Sequence, residues 1–163
     1  MATTDLINFL KKISTIYGPD TKVDDILRMV LDKSNYIDIY ADGSSYYDGS
    51  KRLSGIGVFF GDGDERNISR LINGCNNNES ELISCIEGLK VVQGKKYYVN
   101  MYTDSRLVVD GMNGICSVTK FSDLFSELKE LCNSFVNINW IHVNGHSGIY
   151  GNEKADELSR QSY

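Results

Sequence analysis

The period of the hydrophobic pattern changes at Tyr36, and this change restricts the folds that the chain can adopt. Across residues 1–34, apolar side chains recur at helical spacing in two stretches, and the turn-forming residues 17–20 separate them. This pattern predicts a helical hairpin whose apolar faces are too small to fold alone. From Tyr36 onward, short apolar runs typical of strands alternate with helical stretches, which predicts an α/β domain.

The predicted elements after residue 35 follow the order strand, strand, strand, helix, strand, helix, helix, strand, helix. The predicted strands cover 36–42, 55–60, 66–72, 97–102 and 136–143. The predicted helices run from a cap at Asn78 to Gly94, over 106–110, over 121–135 and over 152–160, and the polar residues 43–54 are predicted as a turn. This order predicts a mixed five-stranded sheet flanked by helices, with an N-terminal helical extension.

Composition bears on location and on partners. No stretch approaches the roughly 18 apolar residues of a membrane span, and the N-terminus lacks a secretory pattern, so we expect an intracellular protein, cytoplasmic or nuclear, with no membrane partner. The four cysteines have no C-x-x-C spacing, and we expect reduced thiols. The net charge of −5, from 17 basic and 22 acidic residues, argues against a broad basic nucleic-acid footprint but does not locate the charges.

Four carboxylates stand at positions where an α/β sheet collects functional groups. Asp42 and Asp104 end predicted strands, Glu81 lies in the first turn of a predicted helix, and Asp156 lies on the last helix. Such carboxylates repel one another unless cations neutralise them, and hard oxygen ligands select Mg²⁺ or Mn²⁺. Each residue also has a purely structural interpretation: a turn residue, a helix cap, a partner of the helix dipole or a solvent-facing side chain. Composition alone does not choose among these alternatives.

Four motifs in a fixed order change that balance, and together they resemble type 1 ribonuclease H. The similarity spans residues 36–160, and the last motif is the most specific. The motifs are Asp42-Gly43-Ser44, Asn77-Asn78-Glu79-Ser80-Glu81-Leu82, Thr103-Asp104-Ser105, and the stretch from Gly145 to Asp156 that reads GHSGIYGNEKAD.

The resemblance implies an endonuclease that hydrolyses the RNA strand of RNA/DNA hybrids and leaves 5′-phosphate and 3′-hydroxyl ends. Asp42, Glu81, Asp104 and Asp156 match the catalytic, metal-binding carboxylates of the family. They imply two Mg²⁺ ions, with Mn²⁺ as an alternative; one ion lowers the pKa of the attacking water and the other stabilises the leaving oxygen. His146 matches a loop histidine that assists product release or proton transfer.

The resemblance also implies how the substrate is recognised. The ribose 2′-hydroxyl distinguishes RNA from DNA, and the family contacts it from the first turn and from the segment before the first helix of the catalytic domain. The candidate substrate-binding residues are Gly43, Ser44, Ser45, Asn77 and Asn78, with Arg106 and Lys120 as candidate contacts to the phosphate backbone.

The chain departs from the family pattern in three places. Residues 110–119 are short and nearly uncharged where several relatives carry a basic, tryptophan-rich protrusion, and residues 1–34 lack the pattern of a hybrid-binding domain. Gly74 and Asn76 replace residues of the usual pocket for DNA phosphate. We therefore expect a catalytic domain over 35–163 and a helical extension of unknown role over 1–34, which is a candidate binding surface for a protein partner.

Three other interpretations share parts of this pattern. The chain could be the ribonuclease H module of a reverse transcriptase or retroelement, although the helical hairpin before Tyr36 favours a self-contained protein. A junction resolvase or an integrase with the same superfold would cut DNA. A degenerate module would bind without cutting, but it has no reason to keep all four carboxylates.

Overall fold

The computed structural model describes residues 36–94 and 97–162, and in these ranges the chain forms five strands and four helices. The helical hairpin and the domain boundary predicted for residues 1–34 lie outside the described residues. The elements are β1 (Tyr36–Asp48), β2 (Lys51–Phe59), β3 (Ile68–Asn73), α1 (Asn77–Val92), β4 (Tyr98–Thr103), α2 (Arg106–Met112), α3 (Ser122–Cys132), β5 (Asn137–His142) and α4 (Tyr150–Arg160).

The strands form one mixed sheet in the order β3-β2-β1-β4-β5, which confirms the predicted mixed five-stranded sheet. β1 pairs antiparallel with β2, and β2 pairs antiparallel with β3. β4 and β5 are parallel and are joined by a crossover through α2 and α3, as a parallel pair requires.

Helices pack on both faces of the sheet. Gly57 and Val58 are consecutive in β2, so their side-chain directions point to opposite faces. A Cβ on Gly57 would lie 2.0 Å from the carbonyl oxygen of Ala155 in α4, whereas a Cβ on Gly88 in α1 would lie 3.1 Å from Val58 Cγ1. The main core therefore lies between the sheet and α1, α2 and α3; its fully buried members include Ile39, Leu82, Leu89, Val99 and Leu128.

The first hairpin differs from the prediction of a polar turn over 43–54, which is wrong. β1 continues to Asp48 and β2 begins at Lys51, so these residues form an antiparallel ribbon closed by a tight turn. Gly49 has the positive φ of +61° that this turn requires. The ribbon is polar because its outer part extends beyond the core, while its backbone groups still pair with each other. Asp42 consequently lies inside a strand rather than at its end.

The start of α1 also differs from the prediction, because Asn76 rather than Asn78 is the N-cap. The amide of Glu79 donates to Asn76 Oδ1 at 3.0 Å, and the Asn76 amide donates to Glu79 Oε2 at 2.8 Å. This reciprocal capping box needs a Glu three residues after the cap, a spacing that Asn76 has, whereas Asn78 itself already lies within the helix. Asn77 and Asn78 therefore occupy the first turn.

The remaining boundaries differ by a few residues. β3 begins at Ile68, because Asp64 and Asn67 form a hydrogen-bonded turn with Gly61. α3 ends at Cys132, and α4 begins at Tyr150. None of the helices in the described ranges is long and apolar enough to cross a membrane. No disulfide joins any of the four cysteines, all of which lie in the described ranges.

Candidate active site

Three of the predicted carboxylates meet at one place beside the sheet. Asp42, Glu81 and Asp104 each offer an oxygen, and these oxygens all lie within 4.8 Å of one another. Asp42 comes from the middle of β1, Asp104 directly follows β4, and β1 and β4 are neighbouring strands. Glu81 is the fifth residue of α1, in its second turn rather than in the predicted first turn. Asp42 and Glu81 are each only 4% exposed.

The close approach of β1 to α1 depends on Gly43. A Cβ at this position would lie 2.3 Å from the backbone nitrogen of Glu81 and from the carbonyl carbon of Ser80. Because glycine has no Cβ, the two backbones can approach each other, and the Gly43 amide donates a hydrogen bond of 3.1 Å to Glu81 Oε2. This contact holds the Glu81 carboxylate next to Asp42, so Gly43 has a packing role beside its predicted contact with substrate.

The C-terminal turns of α4 supply three further groups. Asp156 lines the same cleft as the three clustered carboxylates, although it is not among the residues whose oxygens meet within 4.8 Å. Arg160 donates from Nε to Asp156 Oδ1 at 2.9 Å. The buried hydroxyl of Ser159 donates to Asp42 Oδ2 at 2.8 Å. One helix therefore contributes a carboxylate, the counter-charge of that carboxylate and a hydrogen bond to a second carboxylate.

The electrostatics of the cluster favour proton or cation uptake. Burial raises the pKa of Asp42 to about 7; the negative charges of Asp104 and Asp156 add to this effect, and the hydrogen bond from Ser159 opposes it. Burial likewise raises the pKa of Glu81 well above its usual range, with Asp42 as the next cause. The pKa of Asp104 is also raised, mainly by burial and then by Asp156. These carboxylates ionise at a cost unless positive charge joins them.

The chemistry of the donors fits a hard divalent cation. All donors in the cluster are carboxylate oxygens, which suit Mg²⁺ and Mn²⁺ and offer nothing to softer metals. A bound cation would also offset the burial and the charge repulsion that raise the pKa values of Asp42, Glu81 and Asp104. Asp42, Glu81, Asp104 and Asp156 are the residues that would hold it.

The carboxylates lie in an open cleft of about 960 Å³. Most of the predicted substrate-binding residues line it: Gly43, Ser44, Ser45, Asn77, Asn78 and Arg106, together with His146. Lys120 is not among the lining residues; its ammonium lies 5.1 Å from the centroid of the Phe121 ring. Its contact with substrate stays a prediction.

Four lining residues were missed as candidates by the sequence reasoning: Tyr46, Ser105, Leu107 and Arg160. Two of them carry a signal in their spacing. Tyr46 follows Asp42 by four residues in one strand, so both point to the same face. Arg160 follows Asp156 by four residues in one helix, which makes their side chains neighbours.

The loop before α4 brings His146 to the cleft. A Cβ on Gly145 would lie 2.6 Å from Asp104 Oδ2, so the loop backbone passes directly over this carboxylate. His146 itself is exposed and has a φ of +53°. Its charge, like that of His142, acts to lower the pKa of Asp104. An exposed imidazole beside the carboxylates is accessible for proton exchange with solvent.

We expect the substitution Asp42→Asn to stabilise the metal-free protein at alkaline pH. Between the pKa of about 3.9 in the unfolded chain and the folded-state pKa of about 7, the unfolded chain releases a proton that the native state retains, so stability is lost as the pH rises. Asn has no proton to release and can still accept the hydrogen bond from Ser159. The free energy of unfolding in EDTA should rise by about 2–4 kcal/mol at pH 8, and the gain should vanish near pH 4.

Urea unfolding of wild type and Asp42→Asn at pH 4, 6 and 8 measures this gain. Excess Mg²⁺ at pH 8 serves as the control, because it should stabilise the wild type and reduce the difference. A gain that is the same at every pH would show that the charge of Asp42 is not its cause.

Comparison with known proteins identifies the family of this chain. The family model described as RNase H matches residues 34–163. A ribonuclease H of Francisella philomiragia is 31% identical over 147 residues, which cover 82% of this chain and 94% of the relative. Human ribonuclease H1 is 33% identical over 144 residues, and that match covers 78% of this chain but only 50% of the human protein.

Solved structures show the same fold. The N-terminal RNase H domain of a Mycobacterium tuberculosis protein superimposes with a TM-score of 0.64 at 26% identity, covering 78% of this chain and 92% of that chain. The LC11-RNase H1 structure, solved in complex with RNA/DNA hybrid, superimposes with a TM-score of 0.63 at 24% identity. The match covers 77% of this chain and 95% of that chain. At 24% identity, the similarity to this structure supports the fold alone.

Proposed function

This chain belongs to the ribonuclease H family, and from that membership we propose that it hydrolyses the RNA strand of RNA/DNA hybrids. One observation carries the proposal: Asp42, Glu81 and Asp104 line an open cleft, and each offers an oxygen that lies within 4.8 Å of the other two. A cluster kept at such electrostatic cost is expected where charge must be stabilised during a reaction.

We propose that the enzyme uses two Mg²⁺ ions and leaves 5′-phosphate and 3′-hydroxyl ends. When bound, the ions supply Lewis acidity to the attacking water and to the leaving oxygen. Asp42, Glu81, Asp104 and Asp156 would hold them. Gly43 and Ser159 keep Glu81 and Asp42 in place through the hydrogen bonds described above.

The other groups of the cleft act on the substrate. The reaction forms a bond from water oxygen to phosphorus and breaks the bond from phosphorus to the 3′-oxygen, which then takes up a proton. His146, exposed at the cleft beside Asp104, is the group that we propose exchanges protons during this step or during product release. Arg106 lines the same cleft and would donate to a backbone phosphate.

Selectivity for RNA would come from hydroxyl and amide groups near the carboxylates. Ser44 and Ser45 follow Asp42 in the ribbon, and Asn77 and Asn78 occupy the first turn of α1. All four side chains can donate and accept hydrogen bonds, as recognition of a 2′-hydroxyl requires. We propose a catalytic domain over 35–163; the family model matches residues 34–163. A protein partner for residues 1–34 stays a prediction.

A strand-labelled cleavage assay tests the function. We expect the wild-type chain in Mg²⁺ to cut the RNA strand of a hybrid internally and to leave the DNA strand intact, with no cleavage in EDTA. DNA and RNA duplexes of the same sequence are the matched controls. Ligation of the products with and without prior phosphorylation identifies their ends. Cleavage of the DNA duplex would support the resolvase-like alternative instead, and the absence of any cleavage would refute the proposal.

A further inference from the structure

The guanidinium of Arg160 forms an ion pair with one of the four carboxylates. Arg160 lies in the last turn of α4, lines the cleft and donates from Nε to Asp156 Oδ1 at 2.9 Å. Its side chain is 57% exposed, whereas that of Asp156 is 24% exposed. The charged head therefore lies at the rim of the cleft, beside a carboxylate that lines it.

The other three carboxylates have no such partner. In residues 36–94 and 97–162, no lysine or arginine forms an ion pair with Asp42, Glu81 or Asp104. Asp42 accepts a hydrogen bond from Ser159, and Glu81 accepts one from the Gly43 amide, but both donors are neutral. Asp156 is thus distinguished from the cluster in two ways: it is paired with a cation, and its oxygens lie outside the group that meets within 4.8 Å.

We propose that Arg160 holds Asp156 while no divalent cation is bound and gives it up when the cation arrives, so that this exchange weakens the metal affinity of the site. The inference rests on the proposed metal-dependent function. Arg160 is a positioning residue in this scheme, because it contacts the carboxylate of Asp156 and not the metal, while its charge also acts on Asp42.

The ion pair is favoured when no divalent cation is bound, and its release is favoured when the cation is present. An exposed ion pair between residues four apart in a helix contributes little free energy, and a long arginine side chain can move its head into solvent without unpacking its stem. A doubly charged cation attracts a carboxylate more strongly than a guanidinium does at the same distance. Arg160 meanwhile supplies one positive charge to a site that holds four carboxylates when no metal is present.

Titration of the metal-free, full-length protein with Mg²⁺ tests the exchange. The Arg160→Gln variant removes the competing charge, and Arg160→Lys keeps a charge at the same position. Arg106→Gln is the matched control, because it removes a cation that lines the same cleft without touching Asp156. Calorimetry and the Mg²⁺ dependence of the melting temperature give the affinity without any measurement of cleavage.

We expect Arg160→Gln to bind Mg²⁺ about fivefold more tightly than wild type. This change corresponds to ~1 kcal/mol of binding free energy, which is the upper range of what an exposed ion pair contributes. Arg160→Lys should stay close to wild type, and Arg106→Gln should change the affinity less than about twofold. A merely structural role of Arg160 would lower the melting temperature without Mg²⁺ and leave the affinity unchanged.

Several results would overturn the exchange. These are an unchanged affinity in Arg160→Gln, an equal gain in Arg106→Gln, or a wild type that does not bind Mg²⁺. The proposed function is judged separately: if the wild type cuts hybrid but Arg160→Gln binds Mg²⁺ as wild type does, only the exchange is wrong. If Arg160→Gln binds more tightly but no form cuts hybrid, the exchange stands and the proposed substrate is wrong.

Discussion

Replacing Asp104 by Asn should reduce Mg²⁺-dependent cleavage of an RNA/DNA hybrid by about a thousandfold or more, a loss of about 4 kcal/mol of transition-state stabilisation. One oxygen of Asp104 lies within 4.8 Å of oxygens of Asp42 and Glu81. The amide has nearly the same shape but no charge, so it is a poor ligand for a hard cation. The loss should appear in kcat, because the missing interaction is one that stabilises developing charge.

The fold of the variant should be intact. Burial and Asp156 raise the pKa of Asp104, so its ionised form costs free energy, and removing the charge should not lower the melting temperature in EDTA. Asp123→Asn is the matched control: it makes the same chemical change at an exposed residue in the first turn of α3 and should keep full activity. Equal cleavage by Asp104→Asn and wild type would rule out the carboxylate cluster as the catalytic site.

Gly43→Ala should produce a large loss of stability for such a small change in side chain. The added Cβ would lie 2.3 Å from two backbone atoms of α1, and backbone cannot rotate away as a side chain can. β1 and α1 must therefore separate, which unpacks the buried contact and moves Glu81 away from Asp42. We expect the free energy of unfolding to fall by about 3 kcal/mol or more, with loss of cleavage activity in the fraction that folds.

Gly49→Ala is the matched control for this effect. Gly49 has a φ of +61° at the tip of the ribbon, and a Cβ added there would have no neighbouring atom within 4 Å. Alanine there meets only the cost of the left-handed backbone conformation, about 1 kcal/mol. Urea unfolding of both variants measures the difference. If Gly43→Ala were no less stable than Gly49→Ala, the close approach of β1 to α1 would be wrong.

Local patterns predicted most of the fold. The order of elements after Tyr36 is confirmed, because helical and strand spacing reflect which side chains face the core. The same reasoning failed for the ribbon over 43–54. Its side chains are polar and its outer part has no core to face, so no alternation distinguishes it from a turn; strand pairing alone holds it together.

The site, like the fold, was predicted only in part from the sequence. The order of four motifs predicted which carboxylates matter, and the structure brings Asp42, Glu81 and Asp104 together while Asp156 lines the same cleft. Lys120 matched only by approximate position and lies beside Phe121 rather than in the lining of the cleft. The residues of a motif keep a constant spacing that can be compared with the family pattern. A single surface lysine has no such spacing, so its position cannot be checked in this way.

The sequence by itself determined the types and order of the elements, the family resemblance and the identity of the acidic residues. Tertiary structure decided what surrounds each of them: Asp42 lies within a strand, Gly43 lies against the backbone of α1, and Arg160 holds Asp156. The hydrogen bond from Ser159 to Asp42 joins residues 117 positions apart. Spacing along the chain reports contacts within one helix or strand, but a contact between distant segments exists only once the sheet and its helices have packed.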